Sequence, residues 1–130
     1  MADSISVTAQ MNQLLTEYNR EAQKAVEDSA KEAAEVCKNQ LRNTSPKRPG
    51  HGEYARSWSV KKQSMGRVTD YIVYNSRHYQ LTHLLENGHI IRNKKGTYGR
   101  ARAIKHIAPA AETSTQRFDL AVRTRLGGLK

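Results

Sequence analysis

The first third of the chain carries its most regular pattern. Val7, Met11, Leu14, Leu15, Tyr18, Ala22, Ala25, Val26, Ala30, Ala33, Ala34, Cys37 and Leu41 recur at spacings of three and four, with polar or charged residues between them. That spacing predicts one amphipathic helix. Ala, Glu, Lys and Gln fill it, and neither Gly nor Pro interrupts before Pro46. Asp3, Ser4 and Ser6 are candidate N-caps, and "NTSPKRPG" ends the helix. At 1.5 Å per residue the segment spans roughly 50 Å, whereas a globule of this size is about 30–35 Å across. The helix therefore bends or projects, and a projecting apolar stripe needs a cover. Its alanines, Ala22, Ala25, Ala30, Ala33 and Ala34, permit close approach of another helix and are candidates for a subunit interface.

Beyond it, "SPKRPGHGEYARSW" reads as an exposed loop, with two prolines and two glycines. "YARSWSVKKQ" and "VTDYIVYNS" are strand-like and flank Met65-Gly66, which predicts a β-hairpin. "RHYQLTHLLENG" returns to helical spacing, with Leu81, Leu84 and Leu85 as its buried face and Gly88 as its C-terminal cap. "HIIRN" and "AIKHIA" are read as a second hairpin across the tip "KKGTYGRAR". Pro109 opens a final helix that Gly127-Gly128 closes. The order α, β, β, α, β, β, α predicts a single α+β domain over residues 1–130. In it a long helix (1–43) is joined to a small antiparallel sheet of two hairpins with two further helices (44–130).

Charge changes the picture. The chain carries a formal net charge of +10, yet residues 1–41 hold four basic residues against seven acids. The remaining 18 basic residues face five acids in residues 42–130, a net of +13. No acid occurs from Asn87 to Ala111, where Lys94, Lys95, Arg100, Arg102 and Lys105 gather as a candidate DNA-lining or partner-docking surface. No apolar run approaches the ~20 residues of a membrane span, and the N-terminus lacks the basic start and apolar core of a secretory signal. Cys37, the single cysteine, lies inside the helical pattern and reads as a small buried hydrophobe.

"LTHLLENGHIIRN" packs His83, Glu86 and His89 into one short run that has the look of a metal site. Gly88 ends the helix before His89, however, and zinc ligation needs ligands converging from fixed spacings. The residues are accounted for by a helix end, so neither a metal nor another cofactor is expected. Ser57, Ser59, Ser64 and Ser76 lack the glycines of a nucleophile elbow. Asp70 and Glu86 are the only acids between Glu53 and Glu112, so paired catalytic carboxylates are scarce. The expectation is a protein without enzymatic activity.

Tyr74-Asn75, then Leu84-Leu85-Glu86-Asn87-Gly88-His89, a glycine-containing tip and Pro109-Ala110-Ala111-Glu112 follow in a particular order. With the long first helix and the run Pro46 to Ser57, this order resembles a family of small tail-component proteins of long-tailed bacteriophages. Members of that family lie in the neck, at or near the head–tail junction. His51-Gly52-Glu53-Tyr54 departs from the family's Thr-Gly core in that run. The resemblance implies a structural virion protein, made in the host cytoplasm, that assembles with copies of itself into a connector or tail-completion ring. Its partners would be portal-side connector proteins and the tail tube or tail terminator, with non-specific DNA contact in the lumen and no membrane. A free basic nucleic-acid-binding protein is the alternative. Against it, the final helix offers only Arg117, Arg123 and Arg125, and Tyr71 and Tyr74 alternate along their strand instead of forming a platform.

Overall fold

The computed structural model describes residues 6–47, 52–66, 68–93 and 95–128. Helix α1 (Val7–Thr44) runs for 38 residues. Ser6 caps it by accepting from the Ala9 N–H at 3.2 Å. At the other end Ser45, which precedes Pro46, is extended (φ −64°, ψ 146°), as sterics before proline require. A short α2 (Glu53–Arg56) follows, then β1 (Trp58–Met65), β2 (Val68–Asn75), α3 (Leu81–Asn87), β3 (His89–Asn93), β4 (Gly96–Ala101) and α4 (Ile107–Gly127). The α+β class and the first hairpin stand as the pattern predicts.

Four local expectations are corrected. The hairpins do not share a sheet: β1–β2 and β3–β4 are separate antiparallel pairs. The first pair is regular from Trp58↔Asn75 to Met65↔Val68 and lies against α1. The second shifts register between Ile90 and Arg92. The second strand of that pair is the glycine-containing tip itself, with Gly96 (φ 139°) and Gly99 (φ 99°). "AIKHIA" instead leads into α4: its Ile104 N–H donates to the Leu85 carbonyl, and the N–H groups of His106, Ile107 and Ala108 are taken by a side chain described below. Third, "GEYARSW" is no exposed loop. α2 turns Tyr54 and Ala55 inward, and Trp58 follows into the core. Apolar and aromatic burial here outweighs the turn signal of the neighbouring prolines and glycines. Fourth, of the three leucines expected to form the inner face of α3, only Leu85 packs against the core. Leu81 and Leu84 remain 40% and 41% exposed.

The core gathers Cys37, Leu41, Tyr54, Trp58 and Ala110, with Val73, Leu85 and Ile107 packed on it. Tyr54 and Trp58 meet edge to face at 5.7 Å, and the Trp58 indole donates to Ser45 Oγ at 2.8 Å. Arg42 closes the same corner by donating twice to the Trp58 carbonyl, at 3.0 and 2.8 Å. Burial pushes the Cys37 thiol up from its ordinary pKa, which keeps it neutral.

Helix α4 runs back along α1. Ala110 sits with Cys37 and Leu41, Ser114 donates to the Ala33 carbonyl at 3.1 Å, and Arg125 reaches Ser29 Oγ at 3.1 Å. The close helix approach expected at the alanines is therefore made within the chain. Ala25, Ala33 and Ala34 are buried, and Ala22 and Ala30 are half-buried. Of the alanines expected at a subunit interface, Ala22 and Ala30 keep part of their surface open. What α4 leaves uncovered is the first half of the stripe, where every residue from Val7 to Arg20 is exposed.

Two outcomes follow. Gly88 ends α3 at φ 75°, ψ 171°, and a Cβ there would lie 2.6 Å from the Ala101 carbonyl oxygen. Gly88→Val should lower unfolding free energy by at least about 2 kcal/mol through backbone strain alone, read as a reduced denaturant midpoint. Ala33→Glu should abolish the cooperative thermal transition, whereas Leu14→Glu, on the uncovered stripe, should leave the melting curve of the monomer unchanged.

Candidate functional site

The opening of α4 has no local cap. His106 occupies the N-cap position without a side-chain cap bond, and no acid stands in the first turn. The open N–H groups are met from α3 instead. Glu86 Oε1 accepts from the His106 and Ile107 N–H groups, both at 2.8 Å, and Oε2 accepts from Ala108 N–H at 3.0 Å. A carboxylate on a helix N-terminus meets both the unpaired donors and the positive end of the dipole. Burial alone would raise the Glu86 pKa. The three backbone hydrogen bonds and the nearby His106 ring outweigh it and hold the carboxyl below its ordinary value.

His106 extends this contact into the core. Its Nδ1 lies 2.8 Å from the Ile104 carbonyl, which can only accept, so Nδ1 carries the proton. The other ring nitrogen, Nε2, is hydrogen-bonded to the Tyr54 hydroxyl at 2.8 Å. Burial, and secondarily the Glu86 charge, push the Tyr54 pKa up to about 12, so it remains a donor. The Tyr54 carbonyl receives Asn75 Nδ2 at 2.9 Å, and Asn75 Oδ1 accepts the His78 N–H at 2.8 Å. Glu86, His106, Tyr54 and Asn75 thus join α3, α4, α2 and β2 in one buried network.

This assigns the residues that looked like a metal site. Glu86 is a long-range helix cap, and His106 is fully buried among protein partners. His83 is exposed and His78 pairs with Glu53 at 3.6 Å. His89 is half-buried, with an Nδ1 that meets no partner among the described residues. His51 lies outside them. No group of three or more His, Cys, Asp or Glu is placed to hold a metal ion among the described residues. The role of Glu86 escaped the sequence reading because its partners lie 20 to 22 positions away. The available signal was a helix start lacking Ser, Thr, Asp or Asn.

Three features of the surface stand out. The uncovered stripe of α1 presents Val7, Met11, Leu14, Leu15 and Tyr18, the most exposed of them, Leu14, at 65%. A cleft of about 700 Å³ opens between α3, the end of α1 and the lead-in to α4, lined by Pro46, Tyr54, Leu81, Leu84, Leu85 and Ile104. The third feature is basic. Lys95, Arg100, Arg102 and Lys105 are all exposed, while Lys94 lies outside the described residues. Asn87 ties part of this group down, its carbonyl 3.4 Å from Arg100 and its side-chain oxygen 3.2 Å from Lys105 Nζ. Among the described residues no helix is long and apolar enough to cross a membrane.

Because folding lowers the Glu86 pKa, its contribution to stability is full above the unfolded value, near 4.5, and is lost as pH falls through the lower folded value. Glu86→Gln should cost about 1.5–3 kcal/mol at neutral pH, the usual worth of hydrogen bonds to a charged group. It should also flatten the acid limb of the stability curve, measured by urea unfolding from neutral pH downward.

Comparison with known proteins places this architecture. No curated protein and no solved structure matches the chain. One family does, described as "Bacteriophage HK97-gp10, putative tail-component", over residues 9–88. The match takes in α1, the first hairpin and α3 up to its glycine cap. Covering more than half of the sequence, it shows that the chain belongs to the HK97-gp10-like family of bacteriophage tail components.

Proposed function

We propose that this tail component works in the phage neck, as a subunit of a connector or tail-completion ring through which DNA passes. The observation that carries the reading is the overhang of α1. α2, α4 and the first hairpin close on a core with the C-terminal half of α1, which leaves Val7, Leu14 and Leu15 at 57–65% exposure along one helix face. Contiguous apolar surface of that kind marks an interaction site. Copies of the chain are the first partner. The portal-side connector proteins and the tail tube or tail terminator take the two ends of the ring.

The basic hairpin supports the DNA-facing part of the reading. Lys95, Arg100, Arg102 and Lys105 stand exposed in a stretch with no acid between Asn87 and Ala111. Such a surface tolerates passing phosphates through non-specific, salt-sensitive contact. Family membership supports a structural role in place of catalysis.

A phage lacking this gene product should accumulate filled heads and free tails that stay unjoined in electron micrographs, with joining restored by the wild-type chain supplied in trans. Joined particles in its absence would refute the neck assignment. Replacing Lys94, Lys95, Arg100 and Arg102 with Gln should leave the melting temperature within a degree or so, because surface charges away from the core contribute little to stability. The same variant should lower infectious particle yield, and an unchanged yield would remove the basic surface from the function.

A further inference from the structure

We infer that the uncovered stripe of α1 in one copy seats in the apolar cleft of the next, so that identical chains associate head to tail. This names the contact surface of the ring reading above and rests on it. Both halves of the contact are apolar and incompletely covered within a chain. The stripe is convex, with Val7, Met11, Leu14, Leu15 and Tyr18 each 48–65% exposed. The cleft is concave, and Leu81, Leu84 and Ile104 on its walls are 40–43% exposed. Its volume of about 700 Å³ lies in the ~300–1,000 Å³ range of pockets that enclose a sizeable apolar group.

Helix length decides that the contact is between copies. Pro46, on the cleft wall, follows the C-terminal end of α1 directly, whereas Tyr18 is the nearest member of the stripe. Along the helix they are separated by roughly 40 Å at 1.5 Å per residue. A chain therefore cannot fill its own cleft with its own stripe.

Charge complements the cleft and disfavours antiparallel pairing of two stripes. Glu17 and Glu21 each stand three residues beyond a stripe member, Leu14 and Tyr18, and line one flank of it. The other flank carries the neutral Thr8, Asn12 and Asn19. Two stripes crossing antiparallel about a two-fold axis would set that acidic flank against itself. The cleft presents the opposite sign. Lys47 lies on its edge, and Arg102 and Lys105 flank Ile104 in sequence. Glu53 also lines the cleft, one acid against these three basic residues, while the Glu86 carboxylate is taken up by the α4 cap. Stripe-to-cleft contact is heterologous, and heterologous contacts build rings when the rotation closes.

The test uses full-length chains carrying Leu14→Cys or Leu84→Cys, mixed under mild oxidation, with melting curves confirming that both fold. The expected result is a disulfide-linked dimer in the mixture and little in either chain alone. Glu17→Lys with Glu21→Lys in the first chain should abolish it, and Lys47→Glu with Lys105→Glu in the second should restore it. Preferential cross-linking of Leu14→Cys with itself would overturn the inference in favour of stripe-to-stripe pairing. Self-association of the wild-type chain without the mixed cross-link would overturn it and leave the ring reading standing. A mixture with neither association nor cross-link would also overturn it, while head–tail joining in the gene-deficient phage judges the ring reading independently.

Discussion

The carboxylate of Glu86 on the open end of α4 is the contact on which the placement of the smaller elements depends. Three N–H groups that would otherwise face a buried junction without partners are satisfied by one side chain from α3. Leaving such donors unmade costs more than making them gains, so the geometry is strict. It fixes where α4 begins, and through the His106 ring it fixes Tyr54 and α2 as well. Trp58 packs edge to face on both Tyr54 and His106, carrying the constraint into β1. Gly88 is part of the same device. Only a residue without a Cβ passes the Ala101 carbonyl at this distance and lets the chain leave α3 for β3 immediately after the capping carboxylate.

Helix α1 supplies the frame against which this junction rests. α4 and the first hairpin cover the C-terminal half of α1, with alanines and Ser29 allowing the two helices to lie close. Arg125 bridges to Ser29 and Glu32 near the end of α4. Beyond that point α1 continues with the same apolar periodicity and no cover. The helix therefore has two different halves: one belongs to the core of its own chain, the other is apolar surface that the described residues leave uncovered.

The identity of the histidines follows from the same logic. Residues that cluster in sequence, His83, Glu86 and His89, are parted by the glycine turn and serve different ends. Glu86 instead meets His106, distant in sequence. Polar residues in a short run suggested a ligand set, yet the one carboxylate among them acts on backbone donors.

The long helix, the first hairpin, the strand at His89–Asn93, the glycine cap and the final helix were legible in the sequence, because each is written in local periodicity and turn chemistry. The excess of helix length over globule diameter was legible too, as simple geometry. What only the tertiary structure decided are matters of which distant surface meets which. Ala25, Ala33 and Ala34 could serve any close-packing helix, and it took the path of α4 to claim them for the chain's own core. Leu81 and Leu84 have the spacing of an inner face, yet the buried position of α3 went to Glu86, because three unpaired N–H groups attract a carboxylate more strongly than a leucine rewards burial. The strand expected at "AIKHIA" gave way for the same reason. Periodicity records which residues share a face of an element. What that face meets is settled by the demand that buried donors and apolar area be satisfied together, across separations no local pattern contains.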